Sequence, residues 1–211
     1  MKGYDFKAER KELARFMRRL YRYRLTTTSG GNISHRISDE IILITPSATD
    51  KGEMRWHEIG IMSINGDNLT PGLKLSIESA LHTGIYKKNS HVKAIVHAHP
   101  VFASSFTAMK AEIDTNLTAE ARVICGEPLM VPYALMGSSE LADIVAESSC
   151  RSDILLLENH GVLTTGKNLL QAFDKLEVLE NAAKMTLIVN MMGNKSPLSE
   201  MRINELDKLF R

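Results

Sequence analysis

The residues with the clearest chemical potential are His97-Ala98-His99. On an extended chain, residues two apart face the same side, so both imidazoles can reach one point. Zinc–nitrogen bonds need only about 2.0–2.1 Å each. The pair closes an apolar run just before Pro100, where a sheet can open into a cleft; two solvated histidines at a strand end would look the same. A second apolar run, Ile154-Leu155-Leu156-Leu157, ends in Glu158-Asn159-His160-Gly161. His160 falls where backbone meets solvent, and Gly161 allows a sharp turn beside it. If the two strands are close, three histidines and one open position form the arrangement of a catalytic zinc site.

Glu78, near the start of a helix-like stretch from Leu75 to Tyr86, is the fourth candidate. A carboxylate there can ligate a metal or act as a base whose proton affinity depends on that metal. A helix dipole also favours glutamate in a first turn regardless of function. His82, one turn on, is a rival ligand and ranks lower because the other three histidines already supply enough nitrogen. His35, His57 and His91 sit among polar neighbours and are expected at the surface.

These residues need a framework, and periodicity supplies one. Asp5 to Arg24 has apolar residues at three- and four-residue steps, which predicts a helix. The Gly- and Thr-rich run Thr26 to Asn32 breaks it. Ile33–Ile37 and Ile41–Ile44 read as strands joined at Ser38-Asp39-Glu40, and Ile59–Ile64 as a strand closed by Asn65-Gly66. Ala94–His97, Leu129–Val131 and Ile154–Leu157 complete the expected strands. Helices are expected at Val101–Met109, after a Ser138 cap, at Asn168–Met192 and at Leu198–Phe210. The methionines near the end of the long helix read as flexible core filling, and Trp56 as an anchor for a helix start. The arginines between Arg15 and Arg24 read as a solvated helix face. Interleaved strands and helices indicate one α/β domain over residues 1–211, and the hairpin signals favour some antiparallel pairing.

Composition narrows the function. With 26 basic and 25 acidic side chains the net charge is +1, which gives no sign of a polyanion-binding surface, so nucleic acid is not an expected partner. The first residues are too charged for a signal peptide, and no apolar run approaches the roughly 20 residues a membrane span requires. Cys125 and Cys150 are scattered, as in a reducing compartment. A cytoplasmic protein with no membrane partner is expected. At 211 residues a core forms without a metal staple, so a metal here would serve catalysis.

Five blocks stand in order along the chain: Ser29-Gly30-Gly31-Asn32-Ile33-Ser34, Leu43-Ile44-Thr45-Pro46-Ser47, Ser76-Ile77-Glu78, His97-Ala98-His99 and Glu158-Asn159-His160-Gly161. Together they resemble the class II aldolase/adducin family, and within it the L-fuculose-phosphate aldolases. The resemblance implies an α/β/α fold around a central mixed, largely antiparallel sheet, and a homotetramer with active sites between subunits. It implies Zn²⁺, or another first-row divalent ion, on His97, His99, His160 and Glu78, with Glu78 able to leave the metal and act as base. Phosphate contacts would fall to Ser29, Gly31, Asn32, Ser47 and Ser76. A Gly-rich loop offering backbone N–H groups and short hydroxyls suits that task.

The implied reaction is cleavage of a ketose 1-phosphate to dihydroxyacetone phosphate and an aldehyde through a zinc-stabilised enediolate. The chain departs from the pattern at Ile77, where a second serine is usual, and at Ala48, where glycine is usual. Thr118 falls where those aldolases carry a catalytic tyrosine, and Asn204 to Arg211 lacks a second one. Glu120, otherwise a solvated helix-end residue, is the candidate replacement acid. Two alternatives keep the metal: a sugar-phosphate 4-epimerase and a methylthioribulose-phosphate dehydratase. A third is a non-catalytic adducin-like interaction domain.

Overall fold

The computed structural model describes residues 5–210; Met1 to Tyr4, part of the stretch read above as too charged for a signal peptide, lie outside the described residues. Its spine is a seven-stranded sheet in the order β3-β2-β1-β4-β7-β6-β5. The strands are β1 Asn32–Arg36, β2 Ile41–Ile44, β3 Gly60–Ser63, β4 Ala94–Ala98, β5 Leu129–Val131, β6 Ile154–Leu157 and β7 Gly161–Gly166. Only β5 and β6 run parallel; every other neighbouring pair is antiparallel. The expected mixed, largely antiparallel sheet is therefore present.

Alternation sorts the side chains between two apolar layers. Ile33, Leu43, Val96, Leu156 and Val162 pack with α1 (Lys7–Arg22), α3 (Val101–Met109), α4 (Ala119–Cys125) and α6 (Leu169–Met192). Ile42, Ile44, Ile95, Leu155 and Leu163 face α2 (Ser79–Lys88) and α5 (Ser139–Ser148). Each fully buried aliphatic or aromatic side chain contributes about 1.5–3 kcal/mol relative to exposure. His97 shares the parity of Ile95, so β4 delivers it on the α2 side of the sheet. The last helix, α7 (Glu200–Phe210), adds no buried side chain to either layer. No helix among the described residues is long and apolar enough to cross a membrane.

The elements differ from expectation in specific places. Helix α2 starts at Ser79 rather than Leu75, because the preceding residues are engaged elsewhere. Leu75 forms a β-bridge with Pro46, and the Ser79 hydroxyl donates back to the Ser76 carbonyl at 2.6 Å. Glu78 thus stands just before the helix. Strand β7 has no counterpart among the expected elements, and α4 was expected only as the helix end at Glu120. In β7 the pair Thr164-Thr165 hides the strand, yet both are buried, with their hydroxyls on the Ala172 carbonyl at 2.7 Å and Asp153 at 2.8 Å.

Three side-chain expectations also change. Burial along α6 stops at Thr186, so Met191 and Met192 are exposed, 78% and 74%, and fill no core. His35 is not a surface residue, since it lies half-buried on β1 beneath Glu9 and Glu12 of α1. Arg19 is not simply solvated; its guanidinium lies 4.2 Å from the ring centre of Phe173 and pairs with Glu177 at 3.3 Å. Trp56 opens a short 3₁₀ turn, Trp56–Glu58, and is covered by the Arg10 guanidinium.

Candidate metal centre

Three chain segments converge at the end of β4. Pairing of β4 with β7 sets Ala98 opposite Val162, and the β6–β7 hairpin places His160 one residue before β7. The turn itself is made by Asn159, at φ 53°, with the His160 N–H donating to the Leu157 carbonyl at 3.0 Å. Asparagine tolerates this left-handed conformation better than most side chains. Gly161 has a different role from the one expected. A Cβ there would lie 2.4 Å from Cδ2 of His99 and 2.7 Å from the Ala98 carbonyl oxygen, so glycine lets the hairpin press against the His99 ring.

The result is a compact donor set. The ligating nitrogens of His97, His99 and His160 all lie within 4.8 Å of one another. Nε2 of His97 is 3.4 Å from one Glu78 oxygen, and Nε2 of His160 is 3.3 Å from the other. Glu78 and His97 are buried and His99 and His160 half-buried. His97 is fixed by donating Nδ1–H to the Val162 carbonyl at 2.9 Å, which leaves its Nε2 lone pair facing the cluster.

Electrostatics agree with this geometry. Burial, then the neighbouring His97 and His160, push the His99 ring down to about 3, and burial with His97 pushes His160 down to about 4. Both rings are neutral at pH 7, as ligands must be. Burial pushes Glu78 up, but His97, His160 and the Asn32 hydrogen bond outweigh it and hold the carboxyl below its usual range. Oε1 of Glu78 and both ring nitrogens of His160 are buried without a hydrogen-bond partner. Buried polar atoms are rarely left so, and an acceptor-only carboxylate beside imidazole lone pairs is the donor chemistry of a divalent cation. The residues present fit such an ion.

The Gly-rich loop lies against this centre. A Cβ on Gly31, at φ 67°, would meet the His97 carbonyl at 2.7 Å, so only glycine admits the loop's approach to β4. The Lys51 N–H donates to the Thr28 carbonyl at 2.8 Å and the Ser47 N–H to the Lys74 carbonyl at 2.8 Å. The segments of Ser29, Ser47 and Ser76 are thereby tied together next to Glu78. Ser29 is exposed, and Ser47 and Ser76 are half-buried, with the Ser76 hydroxyl accepting the Glu78 N–H at 3.2 Å.

Other expectations change. The Asn32 side chain is not directed at the loop: its amide donates to Glu78 at 2.7 Å and its carbonyl oxygen accepts from His82. His82 is wholly buried with both ring nitrogens engaged, by Asn32 and by Ser34 at 2.6 Å, which removes it as a rival ligand. Glu120 is exposed in the first turn of α4 and makes no hydrogen bond or ion pair with the histidines. Thr118 caps α4 by accepting the Ala121 N–H at 3.2 Å. Lys51 was not singled out by the sequence. It is 1% exposed, its ammonium donates to the Pro46 carbonyl at 2.6 Å, and burial pushes it down to about 8. A lysine among Thr, Asp and Gly in a loop reads as solvated, and no sequence signal separates it from the rest.

Comparison with known proteins adds an independent line. Residues 11–187 match the family described as Class II Aldolase and Adducin N-terminal domain. The L-fuculose phosphate aldolase of Methanococcus maripaludis is 36% identical over 171 residues, covering 81% of this chain and 92% of that protein. The 3-oxo-tetronate 4-phosphate decarboxylase of Haemophilus influenzae is 31% identical over 208 residues, covering 95% and 96%. A solved L-fuculose 1-phosphate aldolase superposes with a TM-score of 0.87 at 28% identity, covering 100% of this chain and 98% of that one.

Proposed function

The chain belongs to the class II aldolase and adducin family, and on that premise we propose that it is a divalent-metal-dependent carbon–carbon lyase acting on a small ketose 1-phosphate. The observation that carries the proposal is the convergence of Glu78, His97, His99 and His160, from three separate segments, with donor atoms turned toward one another. An ion held there, zinc in the first instance, would supply Lewis-acid stabilisation of the negative charge left when the bond between the α and β carbons, one removed from the carbonyl, breaks.

The chain's own groups account for the remaining requirements. His97 is oriented by its Nδ1 bond to the Val162 carbonyl, and His99 and His160 stay neutral, so neither of those two competes with substrate as a cation. Glu78 is ionised and adjacent, able to take or return a proton at the reacting centre. The hydroxyls of Ser29, Ser47 and Ser76 and the backbone at Gly31 would receive the phosphate, with the Lys51 ammonium in the same loops. We extend the proposal to assembly as a homotetramer, for which Ile77, Tyr133, Leu135 and Met136 offer exposed apolar side chains.

A second reading is favoured by one specific observation. Retro-aldol cleavage must also remove a proton from the hydroxyl that becomes the aldehyde. At the position of the aldolase tyrosine this chain has Thr118, which is occupied as a helix cap. Decarboxylation of a keto-acid phosphate, as in the similar decarboxylase of Haemophilus influenzae, expels CO₂ and has no such proton to remove. The epimerase and dehydratase alternatives have no comparable support, and the complete donor set argues against an adducin-like interaction module.

The test is product analysis by NMR with Zn²⁺-loaded protein and panels of ketose 1-phosphates and keto-acid phosphates. Dihydroxyacetone phosphate with an aldehyde supports the aldolase, and CO₂ with a shortened ketose phosphate supports the decarboxylase. Water loss or an inverted centre would replace both, and inertness of the loaded protein on every phosphate would end the lyase proposal.

A further inference from the structure

Four buried polar side chains on β1 and α2 remain outside the chemistry above. Tyr86, Ser34, His82 and Asn32 are each at most 3% exposed, in a layer otherwise made of Ile42, Ile44, Leu81, Ile85 and Ile95. Each is bonded to the next. The Tyr86 and Ser34 hydroxyls lie 2.8 Å apart, and Ser34 Oγ is 2.6 Å from Nδ1 of His82. Nε2 of His82 bonds the carbonyl oxygen of Asn32, whose amide nitrogen is 2.7 Å from Oε2 of Glu78.

The hydrogens of this chain follow from its end. A carboxylate only accepts, so Asn32 must turn its NH₂ to Glu78 and its carbonyl oxygen to His82. That oxygen also only accepts, so Nε2 of His82 carries the hydrogen. In the neutral ring Nδ1 is then an acceptor and takes the Ser34 hydroxyl proton, and Ser34 in turn accepts from Tyr86. All four bonds run one way, toward Glu78, and reversing any of them would set two hydrogens or two lone pairs face to face. Bonds aligned in this way polarise one another.

We propose that His82 is a positioning residue: held in its Nε2–H tautomer by Ser34 and Tyr86, it fixes the Asn32 amide, which pins Oε2 of Glu78 and leaves Oε1 facing the histidine cluster. The Asn32 side chain then serves the carboxylate. The inference rests on the metal-lyase reading for what Glu78 does, while the direction of the relay rests on geometry alone.

The experiment uses the full chain as wild type, His82→Leu and His82→Gln, each titrated with Zn²⁺ against a competing chelator, with kcat and KM measured on whichever substrate the product screen identifies. Glutamine can donate its amide to Asn32 and accept from Ser34, so it should restore what leucine removes. The leucine variant is expected to bind Zn²⁺ about 10–100-fold more weakly, the range for losing an outer-shell partner, and to lose kcat more than KM. Nitrogen NMR of the wild-type ring should show Nε2 protonated and Nδ1 bare. A folded leucine variant binding Zn²⁺ like wild type overturns the inference, as does a wild-type ring protonated at Nδ1. If leucine prevents folding, the wild-type spectrum decides alone. A wild-type protein that takes up no Zn²⁺ overturns the metal-lyase reading instead, a result distinct from the other two.

Discussion

His97 donates its Nδ1–H to the carbonyl of Val162, 2.9 Å away on the neighbouring strand. That bond ties the ring's tautomer to the β4–β7 pairing, so the sheet itself decides which nitrogen faces Glu78. Replacing His97 by Ala removes a donor from the centre of the cluster. Divalent-ion affinity should fall by more than the roughly 10–100-fold that loss of an outer-shell partner costs. Isothermal titration with Zn²⁺ measures this directly, and near-wild-type binding would disprove the ligand assignment.

Glu78→Gln separates ligation from proton transfer. The amide keeps the size of the side chain and one carbonyl oxygen but cannot carry a proton. If Glu78 is the base, kcat should fall about 10²- to 10⁴-fold, the usual contribution of general acid–base groups, while KM moves little. A kcat within a few-fold of wild type would assign the proton to another group.

Acid should destabilise the metal-free protein through its buried rings. His99 and His82 are pushed down to about 3 and His160 to about 4, from 6.5, chiefly because burial disfavours the charged imidazole. Below pH 6.5 the unfolded chain therefore binds protons that the folded chain refuses. Stability is fully present above about 6.5 and is lost progressively as pH falls toward 4 and 3. Urea midpoints across that window should decline steadily, and His82→Gln should flatten the slope. A pH-independent midpoint would mean that the rings take up protons as readily in the folded as in the unfolded chain.

Gly161→Ala tests whether the hairpin seats the His99 ring. The new methyl would sit 2.4 Å from His99 Cδ2 and 2.7 Å from the Ala98 carbonyl oxygen, well inside contact distance. Overpacking of this kind costs about 1–3 kcal/mol, and the displaced ring should weaken Zn²⁺ binding as well. Gly72→Ala, where a Cβ meets nothing within 4 Å, is the control and should leave both stability and ion binding unchanged.

How much of this was legible in the sequence depended on whether a signal was local. His97 lies on β4 and His99 one residue past its end on the same extended segment, so their common face follows from alternation alone. Bringing His160 to them required the β4–β7 pairing, and β7 was hidden because its two threonines form polar contacts with Ala172 and Asp153 that only the fold supplies. Asn32 illustrates the same limit. Next to two glycines it reads as a loop residue presented to an anion, yet it opens β1 and bonds Glu78 and His82, 46 and 50 residues away. Lys51 carried no periodicity at all; its importance comes from burial, which composition does not encode.

That lysine provides the last test. Its ammonium donates to the Pro46 carbonyl and its backbone N–H to the Thr28 carbonyl, so it ties together the two loops that hold Ser47 and Ser29. Burial pushes its pKa from 10.5 down to about 8. Between those values the unfolded chain holds the proton and the folded chain does not, so stability should rise as pH increases from about 8 to 10.5. An anion beside the ammonium favours the charged form, so inorganic phosphate should shrink that rise. Lys51→Met keeps the apolar stem and removes the charge. It should abolish the rise and, if the cation contacts substrate phosphate, raise KM about tenfold, equivalent to about 1.4 kcal/mol, with kcat nearly unchanged. Loss of the pH slope without any change in KM would limit Lys51 to fastening the loops.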